Sequence, residues 1–294
     1  MGFIRYAIAL LCLSTTLLPV AFAGQQLRVC QQSPVTYAYR IELANLILAR
    51  TAERYGEASI VTSQAPDPSQ ERCLAMLKAG QVDLAYVPPN RERLADFRML
   101  PVDMHQGLLG YRVLIIRKDR QADFAGVKDL DGLRRLTGGF GSQWSDFPLF
   151  ARNQLPVLGM ANPGNLLPML EQRRFDYFHR GLSEAWAEVE ANRAALPDLT
   201  VEQHLALKYP MPVYFTFAKG NQLLVKRFTE GFEQIRADGS FQALFLRHHG
   251  YLIDKAKMPG RLVIELESDL PGQFPNSGDG FAEPATAGKD GVAP

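Results

Sequence analysis

Histidine, cysteine and net charge are all scarce in this chain of 294 residues. The five histidines, His105, His179, His204, His248 and His249, show no His-Glu-x-x-His or other ligand spacing, so no metal centre is expected. Three cysteines, Cys12, Cys30 and Cys73, form no Cys-x-x-Cys pair, which excludes zinc ribbons and thioredoxin-like redox motifs. Lysine and arginine number 32 against 31 acidic residues, so there is no overall basic field and no nucleic-acid partner is expected. After the N-terminus no apolar run is long enough to span a bilayer.

What is present begins with a leader. Arg5 is the only charge before Gly24, and an apolar stretch from Tyr6 to Val20 runs into Ala21-Phe22-Ala23. This pattern predicts a cleavable signal peptide over 1–23 and a periplasmic protein. Removal of the leader takes Cys12 with it. Cys30 and Cys73 then remain in an oxidising compartment, either as a disulfide or as two separate buried thiols.

The mature chain alternates short apolar runs with helix-period segments, the pattern of an open α/β sheet. Strands are expected at Leu27 to Gln32, Ser59 to Ser63 and Asp83 to Val87. Between them lie a helix from Tyr39 to Tyr55, stopped by Gly56, and a second helix capped by Ser69. Right-handed crossovers with strand order 2-1-3 would carry that second helix over the strand holding Cys30.

Alternation restarts at Gly110 to Arg117. Helices are expected at about Trp144 to Asn153, Asn165 to Arg173 and Ser183 to Arg193, around strands at Val157 to Met160 and Asp176 to Phe178. A strand at Val213 to Ala218 precedes helices at Asn221 to Ala237 and Ser240 to His249, the last ending in His248-His249, where cationic side chains suit the helix dipole. From Pro271 to Pro294, nine of 24 residues are Gly or Pro, so disorder is expected from about 271.

Four strings together resemble the type 2 periplasmic solute-binding family, which includes the amino-acid-binding components of ABC transporters. They are AGQVDLAYVPPNRER (79–93), KDLDGLRRLTGGFGSQWSD (128–146), EQRRFDYFHRG (171–181) and YFTFAKGNQLLVKRFTEGFEQIRADGSF (214–241). The resemblance implies an α/β fold of two doubly wound lobes joined by two hinge strands, crossing near Leu109 to Arg112 and Tyr209 to Tyr214. The first lobe would comprise 24–110 and 213–254 and the second 111–212, with 255–294 as a C-terminal extension.

A ligand cleft between such lobes lies beyond the carboxyl ends of the strands. Gly138 to Ser142 reads as a glycine-rich turn into a helix near Trp144, where backbone N–H groups and the Ser142 hydroxyl could meet an anion. It lacks the third glycine of a dinucleotide fingerprint and is no nucleophile elbow, so no cofactor is expected. The resemblance places a carboxylate-clamping arginine at Arg91 or Arg93. Tyr37, Tyr39, Trp144 and Tyr214 are candidate aromatic walls.

Where amino-acid binders place an acidic anchor for the ligand ammonium, this chain has Arg180. That substitution points to an anionic or otherwise non-standard small polar ligand. Glu184 and Glu188, at helical i,i+4 spacing, read as a solvated face, and no catalytic constellation emerges. The expected function is that of a monomeric solute-binding protein delivering its ligand to a membrane permease. The alternative is a sensory module of the same fold that docks on a membrane receptor.

Overall fold

A computed structural model of the chain describes residues 24–34, 36–63, 68–142, 144 and 146–268. The expected signal over 1–23 and the expected disorder from about 271 lie outside the described residues. Among the described residues no helix is long and apolar enough to cross a membrane.

Twelve strands are described, here β1 (Gln25–Arg28), β2 (Ala58–Val61), β3 (Ala85–Val87), β4 (Phe97–Met99), β5 (Tyr111–Arg117), β6 (Gly138–Gly141), β7 (Val157–Met160), β8 (Tyr177–Gly181), β9 (Leu199–Val201), β10 (Leu205–Lys208), β11 (Tyr214–Ala218) and β12 (Leu262–Glu265). The first lobe is built on β1 and β2, which pair in parallel, and on β11 between β3 and β4, which pair with it antiparallel. A parallel bridge from Val29 to Leu84 connects β1 to β3. The buried Gln31 amide prolongs that contact, donating to the Tyr86 carbonyl and accepting from its N–H. This is the 2-1-3 order.

The second lobe carries the order β12-β10-β5-β8-β6-β7, with β9 also on β5. Its parallel pairs are β6 with β7, β6 with β8 and β10 with β12. Apolar β5, buried along nearly its whole length, is the spine, as expected of a strand covered on both faces.

Two chain segments pass between the lobes side by side. The Tyr209 N–H donates to the Gly110 carbonyl, and Met104 and Leu100 donate to Val213 and Phe215. A Cβ on Gly110 would lie 2.5 Å from the Tyr209 carbonyl oxygen, so only glycine permits the close approach of the crossings. Buried Asp103 ties them further, accepting from the backbone N–H groups of His105, Gly107 and Val213.

Local chemistry explains where elements depart from expectation. The first helix runs Ala38–Arg50 rather than to Tyr55, because the Thr51 hydroxyl donates to the carbonyls of Ile47 and Leu48. A separate turn, Ala52–Tyr55, follows and ends at Gly56 with φ of 84°. The helix expected from Trp144 starts at Phe147 with Pro148 in its first turn, a position proline favours. The last helix continues through Gly250 to Ala256. His248 and His249 are therefore inside it and not at its end, and the His249 ring packs 4.6 Å from that of Tyr39. Strands β4, β9, β10 and β12 were not expected from the sequence.

The Gly138 to Ser142 segment is also not a turn. Gly138–Gly141 is strand β6, and its glycines are required by packing. A Cβ on Gly138, Gly139 or Gly141 would strike the rings of Tyr177, Phe175 or Trp144 at 2.9, 2.3 and 2.6 Å respectively.

Candidate functional site

A cavity of about 450 Å³ opens between the lobes. One wall is the first turn of the helix Gln70–Lys78, through Gln70 and Glu71; the crossings contribute Arg112 and Met211; the second lobe contributes Trp144, Asp146, His179, Arg180 and Glu184. Ser69 caps the helix as expected, accepting from the Arg72 N–H, and so sets where its first turn meets the cavity.

Arg112, the second residue of β5, lies where the crossings meet. Its Nε donates to the Tyr209 hydroxyl at 2.9 Å, and that hydroxyl donates to Asp146 at 2.7 Å. Its other nitrogens lie 3.7 Å from Asp146 and 3.5 Å from Glu184. Burial alone would push this guanidinium down, but Tyr209, Asp146 and Glu184 together outweigh burial and hold it above its usual value. The cleft floor therefore keeps a permanent cation, matched by its own carboxylates.

Arg180 is matched as well. It forms a two-pronged hydrogen-bonded pair with Glu188 and an ion pair with Glu184 at 3.2 Å, while its guanidinium lies 5.2 Å from the ring centres of both Trp144 and Phe178. Planar guanidinium chemistry suits both contacts at once. The pair Glu184 and Glu188, read from sequence as a solvated face, is thus the counter-charge of Arg180.

Trp144 covers Gly141 and stacks at 6.0 Å on Phe178. Neighbouring Ser142 is exposed, and its backbone N–H is taken by the Met160 carbonyl. The structure brings Trp144 and Arg180 together at the cavity; Ser142, Tyr37, Tyr214, Arg91 and Arg93 are not among the side chains lining it. Tyr37 packs beside Tyr86 under the Arg40 guanidinium. Tyr214 is fully buried, opposite Val87 in the first sheet. Arg91 is exposed. Arg93 turns inward, donates to the Pro88 carbonyl and reaches Glu71 at 3.5 Å, so it touches the wall only through that carboxylate.

Sequence reasoning missed Gln70, Glu71, Arg112, Asp146, His179 and Met211. Only Arg112 left a signal, as a lone charge near the start of the apolar run Tyr111 to Ile116. Cys30 and Cys73 are joined, with Cα atoms 5.5 Å apart. Among the described residues no group of three or more His, Cys, Asp or Glu side chains is placed to hold a metal ion.

His179 is buried between the rings of Phe140 and Phe150. Burial, then Arg112 and Arg180, holds it well below the usual histidine range. Burial with Arg40 and His249 does the same to His105. His249 is lowered to about 4 by burial, His248 and Arg40. In the unfolded chain these histidines take up protons near pH 6.5, whereas the folded protein keeps them neutral. Their contribution to stability is therefore complete above about pH 6.5 and is lost as pH falls toward 4, at about 1.4 kcal/mol per pH unit for each proton. Urea midpoints should fall steadily from pH 6.5 to 4.5, and His249→Gln should flatten that slope; midpoints independent of pH over this window would contradict the assignment.

No family model and no curated protein matches the chain. Solved structures do resemble it. A Bacillus subtilis protein aligns with 82% of this chain and 97% of its own at 18% identity and a TM-score of 0.50. The second substrate-binding domain assigned to an amino acid ABC transporter of Streptococcus pneumoniae aligns over 75% and 97% at 15% identity, TM-score 0.50. A chain solved for glutathione import through GshT and the cystine ABC importer TcyBC of Streptococcus mutans aligns over 77% and 95% at 13% identity, TM-score 0.50. With its two lobes, paired crossings and interlobe cavity, the chain has the fold of the type 2 periplasmic solute-binding proteins.

Proposed function

We propose that this protein is an exported, monomeric binding protein that captures a small polar solute between its lobes, closes about the paired crossings, and presents the solute to a membrane permease. The observation that carries this reading is the cavity itself, whose walls come from both lobes and from the crossings. Closure of such a cleft would surround a solute with groups drawn from separate rigid bodies. In this reading Trp144 and Arg180 form an aromatic and guanidinium wall, Arg112 faces an acceptor group of the solute, and Arg93 acts through Glu71.

The charges on the walls bear on the solute class. Two guanidiniums, Arg112 and Arg180, face three carboxylates, Glu71, Asp146 and Glu184, and Glu188 matches Arg180 from behind. The expectation of an anionic ligand rested on Arg180 standing where amino-acid binders place an acidic anchor, and the pairing of Arg180 with Glu184 and Glu188 weighs against it. A solute bearing a cationic group, alone or as a zwitterion, fits the balance better.

A thermal-shift panel of amino acids, polyamines and dicarboxylates tests this reading. A solute at 100 times its Kd adds about 2.7 kcal/mol to stability. Cationic or zwitterionic solutes should raise Tm, and Trp144→Ala should weaken their binding about tenfold in calorimetry, the ~1.4 kcal/mol scale of one lost aromatic contact. Stabilisation by dicarboxylates alone would overturn the charge assignment; a panel without any shift would count against solute capture.

A further inference from the structure

The nine-residue helix Gln70–Lys78 supplies Gln70 and Glu71 to the cleft, yet only two of its side chains, Cys73 and Leu77, are buried. Cys73 is bonded to Cys30, just beyond β1. These two, with Leu77, Val82, Ala85 and Phe97, make a small core separate from the larger apolar clusters. The helix's charged contacts are weak holds. Lys78 pairs with Asp96 where both are exposed, and Arg93 meets Glu71, whose side chain is 80% exposed, at 3.5 Å. Exposed pairs contribute little, a single buried leucine removes only a small apolar area from water, and a helix this short is marginal by itself.

We infer that the Cys30–Cys73 bridge is a positioning element of the cleft, fixing the first turn of the helix Gln70–Lys78 and so presenting Glu71 to a cationic group of the bound solute. The role given to Glu71 rests on the solute-binding reading; the role of the bridge in holding the wall does not. Reduction by a dithiol breaks the S–S bond with two electrons and two protons, yielding two cysteine thiols while the reagent closes to its own disulfide.

Amide exchange followed by mass spectrometry, on the oxidised, dithiothreitol-reduced and reoxidised full chain, tests the positioning. The helix Ala38–Arg50 of the same lobe reports the loss of stability that the whole lobe shares. Reduction should speed exchange in 70–78 at least tenfold more than in 38–50, and reoxidation should restore it. Equal changes in both helices would overturn the inference. In parallel, calorimetry uses L-arginine as a probe that carries both a carboxylate and cationic groups. Reduction and Glu71→Gln should each weaken its binding tenfold or more, with exchange in Glu71→Gln unchanged. Unaltered affinity in Glu71→Gln would overturn the role of Glu71. Oxidised protein that binds no L-arginine but shows the local exchange would count against the solute reading while supporting the role of the bridge.

Discussion

Replacing both Cys30 and Cys73 by alanine should lower the stability of the first lobe by about 4 kcal/mol, the chain-entropy value for releasing a loop closed across 43 positions. The two half-cystines are 2% and 0% exposed, so serine at the same positions should cost more still, because its hydroxyls would be buried without built partners. Urea titrations of the oxidised protein and of the double variants measure both effects. The ordering of the variants separates loop entropy from burial: alanine and serine pairs that lose the same amount would place the whole effect in the unfolded chain. A loss below about 1 kcal/mol for the alanine pair would contradict the loop-entropy account.

Asp103→Ala should cost about 4 kcal/mol, since it strands three backbone N–H groups that have no other outlet in the described structure. Burial pushes this carboxyl up, more strongly than its three backbone donors and Arg40 pull it down. The site therefore operates by geometry, not by a favourable environment for charge. Asp103→Asn should recover about half of the loss: its single carbonyl oxygen can still accept from His105 and Val213, which share Oδ1, while its amide group would oppose the Gly107 N–H. Because His105 and Gly107 lead into one crossing and Val213 into the other, any solute that closes the cleft should bind Asp103→Asn more weakly than the wild type. Equal stabilities for the aspartate and alanine proteins would show that water replaces the carboxylate at no cost.

Legibility from the sequence differed between fold and site. The long helices were readable, because the apolar positions of Ala38–Arg50 and Gln222–Ala237 recur at helical spacing and a capping residue such as Ser69 announces its own partner. Boundaries were less so, as at Thr51, where a hydroxyl competes for helix carbonyls. Site residues suffered most. Arg180 was found, but its counter-charges were not: Glu184 and Glu188, read as a solvated face, stand four and eight residues along the chain and pair with it. Arg91 and Arg93 could not be separated until helix Arg91–Asp96 left the first outside and turned the second toward Glu71.

Local periodicity, turn chemistry and composition by themselves determined that this is an α/β protein with repeated strand–helix alternation, no excess charge and no metal-binding pattern, since each of those properties depends on neighbours within a few residues. The tertiary structure alone decided that the Gly138 to Gly141 glycines make room for aromatic rings, that Arg112 lies under the cleft, and that the arginines there are already neutralised. Those outcomes depend on groups brought together from distant parts of the chain, and a charge or a cavity acquires its chemistry only from what stands within a few ångströms of it.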